Sequence, residues 1–484
     1  MFESCRAHHE RFTVATLAAP TADPSNQLRR ELGLRDLILA QILNVVGSSW
    51  VGVASKLGKA HAVFWISSML LFYVPLALVV IYLNRVLPLE GGLYQWAKEA
   101  FGACWGFLIA WNLWVYAVVV LGSILFVVPT DLAYSIGPRA AWLLASHAAT
   151  SVLTGAVLIF IACVAVRGLS IGKWLHNAGG FLVLVAYAIL VALPVWAILR
   201  GRAIAYEPIP LAWPEASWVS VAIFGQMTVG GLSGFEYVAI LAGETRDAAR
   251  NIGKSVAIAA PVIALMFILG TSSVIAFVGN RPINLIGPIP QTFRAALGNT
   301  GFASHFASIA ILLLLVRAIS ASSLIFTGLT RLPVTAGWDH LLPAWFTRLD
   351  PRRRTPVNSI LFVTVLAIVL IFLSMAGVRE QEAMQLLNSA SNVHYGIAYV
   401  ALFAIPLFGA AHLRQRLPKW LGFPAIAGLI SSGIAVLIAA YPIVDVVSNL
   451  EYAGKIVGVV LASNVVGVFI YAKNAGSRNT LGLR

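Results

Sequence analysis

Twelve apolar runs, each long enough to cross a bilayer, restrict this chain more than any other feature. They fall at about 37–57, 62–83, 103–128, 140–165, 175–199, 218–241, 255–279, 303–329, 357–377, 386–409, 421–444 and 455–472, here called spans 1 to 12. Hydrocarbon offers the backbone no hydrogen-bond partner, so each run must satisfy its own amides and carbonyls as a helix. Only 11% of the 484 residues are charged, against roughly a quarter in a soluble protein. The expected fold is therefore an all-α membrane protein with twelve transmembrane helices. An even count puts both termini on one face, and most of the 33 basic side chains then fall in segments on that face. The positive-inside bias places both termini in the cytoplasm, with the plasma or inner membrane as the expected location. The same bias accounts for the net charge of +14 without invoking nucleic acid. Residues 1–35 are polar and basic, read as a cytoplasmic tail without a cleaved signal peptide.

One run is a poor helix. Span 6 leads into Val229–Lys254, where Gly230, Gly231 and Gly234 crowd together and Glu236 follows two residues later. Glycine weakens a helix, and a carboxylate in hydrocarbon is costly and usually functional. The reading is a broken helix whose opened backbone lines a polar cavity. Span 1 carries Gly47-Ser48-Ser49 near its middle, preceded by Asn44. Alone, that triplet reads more readily as a small-residue packing face than as a break. Spans 1 and 6 open successive groups of five, however, and glycine-interrupted spans at matching places in two halves mark the binding site of inverted-repeat transporters. Together they predict paired unwinding at Gly47–Ser49 and Gly230–Gly234.

Other polar residues stand out against the apolar background. Arg317 lies within span 8, fourteen residues before Arg331 and so about 21 Å along a helix. That is too far to snorkel, so it faces a bundle interior or an aqueous cavity. It either serves transport or is simply neutralised by carbonyls at a helix end. His394 in span 10 reads as a hydrogen-bonded core residue. Leu87–Gly102 reads as a short amphipathic segment before span 3, and the long loop 7–8 as either a lid or a plain connector. Cys5, Cys104 and Cys163 are too scattered for a disulfide framework or a zinc site.

Four stretches carry a family resemblance. Pro88 to Trp111 is similar to P-x-x-GG-x-Y followed by FG and GF-x-x-x-W. Gly234-Phe235-Glu236 with Ala242-Gly243-Glu244 resembles a G-F-E and A-G-E pattern. Arg331 to Pro343 resembles R-x-x-x-x-x-A-R-D-G-x-L-P, and Thr355-Pro356-Val357 matches T-P-V. In this order they resemble the amino acid–polyamine–organocation superfamily of secondary transporters, over about residues 30–475. The resemblance implies a five-plus-five inverted repeat with broken helices 1 and 6, residues 36–200 and 201–409. Helices 11 and 12 follow in 410–472, then a cytoplasmic tail, 473–484. It also implies alternating access around a site between spans 1, 3, 6, 8 and 10, and uptake or exchange of amino acids or organic amines. The sequence departs from the family in three places. Ser49 stands where a second glycine is usual, followed by the bulky Trp50. Span 5 lacks the mid-span lysine that some members use in place of sodium. Gly230 stands where arginine/agmatine antiporters place a gating tryptophan.

The substrate site is expected at Val46, Gly47, Ser48, Ser49 and Trp50 of span 1 and at Val229, Gly230, Gly231, Gly234 and Phe235 of span 6. Amides opening the second half of span 1 favour a carboxylate, and carbonyls near Val229 and Gly230 suit an ammonium. Trp50, Phe235, Trp111 and Trp114 are candidate walls. Glu236 is expected either to respond to protons, as the resemblance implies, or to cap helix amides. Arg317 is expected to occupy the place of a coupling cation against the carbonyls ending the first half of span 1, which predicts sodium-independent transport. Gly231-Leu232-Ser233-Gly234 falls short of a nucleophile elbow, since Phe235 stands where glycine is needed. Neither a metal-ligand set nor a phosphate loop is present in the sequence. No cofactor, metal or catalytic residue is expected. The expected partners are an amino acid or an amine, protons and the lipid bilayer. A non-transporting sensor on the same fold is the remaining rival, and the sequence leaves any partner subunit open.

Overall fold

Span 1 folds as two helices, α1 (Leu34–Val45) and α2 (Ser48–Ser55), bent by 42° at Val46-Gly47. This is a computed structural model describing residues 32–87, 92–236, 244–279, 281–335, 341–375, 379–409 and 417–480, with the side chains of 169, 170, 249, 335 and 475–480 excepted. The remaining elements are α3 (Gly58–Val86), α4 (Leu93–Phe101), α5 (Ala103–Ile136), α6 (His147–Arg167), α7 (Leu169–Leu199) and α8 (Trp218–Gly225). After them come α9 (Ala248–Val278), α10 (Pro288–Leu297), α11 (Phe302–Thr335), α12 (Val357–Ser374), α13 (Glu380–Ala404), α14 (Gly422–Ile438) and α15 (Asn449–Thr480).

Among the described residues ten helices are long and apolar enough to cross a membrane, and the bent pair α1–α2 forms an eleventh candidate. The protein is an all-helical, multi-pass membrane protein. Span 6 is not one of these helices: α8 runs into a π-helical stretch, Gln226–Gly231, and regular structure ends there. Its expected continuation to about 241 lies largely outside the described residues. So do the first 31 residues, Pro88–Gly91, Ala242-Gly243, residues 336–340 of the motif after span 8, and the last four of the expected C-terminal tail.

Span 3 needs a correction. Apolarity alone ends it at about 128, but the helix continues through Val127–Ile136. Less than one turn beyond that limit the helix brings a carboxylate, Asp131, inside the span, where it is 1% exposed.

The first described residues and the end of α15 share one face. Leu32 pairs with Thr245 in an isolated bridge, and its amide donates to Glu244 O (2.9 Å). Glu244 pairs with Arg331 at 3.1 Å, both almost fully buried. Near the end of α15, Asn474 donates to Leu341 O at 2.9 Å. On the opposite face loop 7–8 is no plain connector, since its helix α10 seats Pro288 against Gly52 of α2. Arg294 then ties the loop to α5, donating to Tyr134 O and Ser135 O, both at 2.8 Å.

Candidate functional site

The broken spans meet at the centre of the bundle. A continuous span 1 would bond Leu43 O to the amide of Gly47 and Val46 O to that of Trp50. Instead Arg317, from the middle of α11, donates through Nη2 to Leu43 O (3.4 Å) and to Val46 O. Its guanidinium is 5% exposed. Beyond the break α2 starts without a side-chain cap, so its first-turn amides remain open to an acceptor.

In span 6 the amide of Gly234, which a continuing helix would bond to Gly230 O, donates to the Tyr399 hydroxyl of α13 at 2.9 Å. Gly234 has φ +118°, a region closed to most side chains. A methyl group there would also strike Asn44 Nδ2, which donates across to Gly234 O at 3.4 Å and so links the two breaks. Glu236 is fully buried. Its carboxylate accepts from Tyr395 and lies 2.9 Å through each oxygen from the Tyr399 hydroxyl. The ring of Tyr395 stacks on Tyr116 of α5. Tyr395 and Tyr399 are one helical turn apart, so one face of α13 serves one carboxyl.

Trp50 lies between the breaks. Its indole folds back on Gly47, and a side chain at Gly230 would collide with Trp50 Cη2. Gly231 also faces this ring, across from Trp65. The glycines of span 6 thus leave room for a tryptophan of span 1. Ser48 is buried and Ser49 half-buried at the start of α2, and Val229 is fully buried in the π stretch. Of the remaining candidate walls, Phe235 packs on Tyr73 of α3 at a ring distance of 4.7 Å, away from the breaks. Trp111 turns to α15, donating to Ser463 O at 2.8 Å and filling the space beside Gly467. Trp114 stacks on Trp111. His394 joins Asn112 Oδ1 (2.7 Å) to Ser463 Oγ (3.2 Å) in a buried network, as a hydrogen-bonded core histidine should.

Several polar residues here do not stand out in the sequence. Asn392 of α13 stands beside Gly230 with Nδ2 unpartnered. Gln385 and Asn388, on the same helix face, also bury unpartnered amide nitrogens. Their spacing of three and four residues within span 10 was the available clue. Tyr187 of α7 contacts Gly47 O through its hydroxyl (3.5 Å). α7 packs closely on α1 and α11 near the start of span 5. A methyl on Gly179 would strike Ser320, and one on Gly180 would come within 2.6 Å of Leu39 O. Backbone packs closely there, and Arg317 from α11 reaches the carbonyls of Leu43 and Val46.

The amino acid permease family model matches residues 32–462 of this chain. An uncharacterized transporter of Legionella pneumophila is 26% identical over 399 residues, covering 81% of this chain and 83% of that protein. The glutamate/serine transporter AimA of Bacillus subtilis is 23% identical, covering 86% and 79%. The probable agmatine/putrescine antiporter AguD of Lactococcus lactis is 21% identical, covering 88% of both. Among solved structures, MhsT in complex with L-phenylalanine superposes with a TM-score of 0.62 at 14% identity, covering 85% of this chain and 99% of that one. That likeness concerns the fold.

Proposed function

The chain belongs to the amino acid permease family, and from that premise we propose that it moves amino acids across the membrane by alternating access at the facing breaks of spans 1 and 6. The carrying observation is the juxtaposition itself: uncapped amides of α2, backbone that leaves the π-helical stretch after Gly231 and is irregular at Leu232–Gly234, and Asn44 joining the two. A substrate carboxylate is received by the amides and hydroxyls of Ser48 and Ser49, with Gly47 at the cap. Its ammonium meets the carbonyls of Val229 and Gly230, with Val46, Gly231 and Gly234 shaping the backbone around it. Trp50 forms the movable wall, and Asn392 adds a donor from α13. Phe235 supports the broken segment from behind, through Tyr73.

Arg317 takes the place of a coupling cation in this reading. Leu43 O and Val46 O, three residues apart, converge on its guanidinium, which is permanently charged. A sodium ion there would face that charge and find its oxygens taken. Transport is therefore sodium-independent, by proton coupling or exchange. Glu236 responds to protons through the two tyrosine hydroxyls that hold it. Both termini are cytoplasmic, the membrane is the plasma or inner membrane, and the twelve spans form two inverted repeats of five plus two helices.

Trp50 favours a second reading, in which the cargo is an organic amine. An indole face attracts cations, and it lies where the first reading would seat a zwitterion. The test is purified protein in liposomes with a panel of labelled amino acids and diamines, with and without sodium and a proton gradient. Accumulation of amino acids alone supports the first reading. Amine uptake with every amino acid inert removes the carboxylate role of Ser48 and Ser49. Uptake rising steeply with sodium at fixed pH and ionic strength removes the role of Arg317. Substrate binding without flux would assign the fold to a sensor.

A further inference from the structure

Asp131 is 1% exposed, and neither of its carboxyl oxygens has a hydrogen-bond partner. A lone carboxylate in so dry a place costs too much to stay charged. Of the buried cations on helices that pack against its turn of α5, Arg317 of α11 is the one that interacts electrostatically with it. Arg317 in turn has an unpartnered Nε, while Nη2 is held by the carbonyls of α1. The two groups that would complete each other are thus both incomplete. Other charged and titratable groups on the neighbouring elements are turned elsewhere. Arg294 of α10 is committed to Tyr134 O and Ser135 O. His147 of α6, His305 of α11 and Arg139 are exposed. Tyr134, on the same helix, is bonded to Asn284, and the Tyr187 hydroxyl is directed to Gly47 O at 3.5 Å.

We infer that Asp131 is a proton-binding site whose occupancy is exchanged against the hold of Arg317 on span 1. While the guanidinium bonds Leu43 O and Val46 O, the Asp131 carboxyl carries a proton and is neutral. When α1 moves away, the guanidinium loses those carbonyls and its charge falls to the nearest acceptor. Asp131 then ionises against it, and the proton leaves as hydronium. A water-accessible route is close, since a cavity of about 390 Å³ on the face opposite Leu32 and the end of α15 is lined by Ala133 and Tyr134, within one turn of Asp131. One proton is released for each Arg317–Asp131 pair formed: the two groups go from a joint charge of +1 to zero, and the released proton carries the difference. Glu236 differs in that hydroxyl donors already satisfy it. The exchange with α1 rests on the alternating-access reading above. The proton site does not, and it is tested without substrate.

The test is infrared difference spectroscopy of the purified protein across a pH titration, with carboxyl-labelled 13C-aspartate. The expected result is a protonated carboxyl band, typical of an acid without hydrogen bonds, that shifts with the label. It disappears in Asp131→Asn and persists in Glu236→Gln. In the unmodified protein the band fades as pH rises, because Asp131 can ionise against Arg317. In Arg317→Met it stays through the same range. If Asp131→Asn does not fold, the labelled unmodified protein and Arg317→Met decide the matter. A label-shifted band surviving unchanged in Asp131→Asn, no label-shifted band at any pH, or identical titrations with and without Arg317 would each overturn the proposal.

Discussion

The breaks in spans 1 and 6 are repaired by opposite chemistry. In span 1 the backbone is left with carbonyls, and a guanidinium from α11 supplies the hydrogens. In span 6 a freed amide finds the Tyr399 hydroxyl, which also serves the carboxyl of Glu236. A broken helix in hydrocarbon needs outside partners for whichever groups it exposes. Here one break borrows a fixed positive charge and the other a network of hydroxyls around an acid. The first repair has a charge that does not titrate, whereas the second contains a group that can.

The largest effect should come from removing the fixed charge. Arg317→Ala leaves two buried carbonyls without a donor, at about 1–3 kcal/mol for each unsatisfied group. Transport should fall to background and the thermal midpoint of the purified protein should drop. A fully active variant would show that the span 1 break needs no cation. Gly234→Ala comes next. Its positive φ costs a side chain about 1–3 kcal/mol, and the added methyl meets Asn44, so the midpoint should fall while Gly231→Ala, facing ring edges, falls less. Equal losses would remove the special status of Gly234.

Glu236→Gln keeps the shape of the second repair and removes its acid. Transport should persist while its pH dependence flattens. An unaltered pH profile would make Glu236 a structural cap and leave proton coupling to other groups. The smallest change should follow Trp50→Ala, which empties space between the breaks without exposing backbone. The expected outcome is a broadened substrate range and a shift of a few-fold in KM. Loss of all transport would instead make the indole part of the gate itself.

How much of this could be read from sequence differs residue by residue. Arg317 was legible because a charge deep in an apolar run has few places to go, and helix rise measures its reach. The broken segments were legible through glycine, whose lack of a side chain is a backbone statement. Asp131 was missed because apolarity thins before the helix ends. The threonine, aspartate and serine of Val127–Ile136 look like a loop when read by polarity alone. The facing of Trp111 and Trp114 was open for a different reason. Span 3 is apolar on every side, so nothing in the pattern says that Trp111 faces α15 rather than the centre. The tyrosine pair on α13 follows helical spacing, yet only the fold shows that Glu236 lies opposite it.

The contact between α13, α5 and α15 carries a consequence for the last helix. Within its membrane-spanning window only 17% of α15 is buried, so apolar packing gives it little reason to prefer one rotation about its axis. Ser463 and Asn464 supply that reason. Asn464 Oδ1 accepts from Asn112 Nδ2 at 2.8 Å, and Ser463 meets His394 at 3.2 Å. In lipid, a turn of the helix about its axis would strand these polar atoms among acyl chains. The helix is thus keyed rather than glued: two adjacent polar side chains fix its azimuth, and with it the side that Leu461, Val465 and Phe469 present to the surrounding lipid.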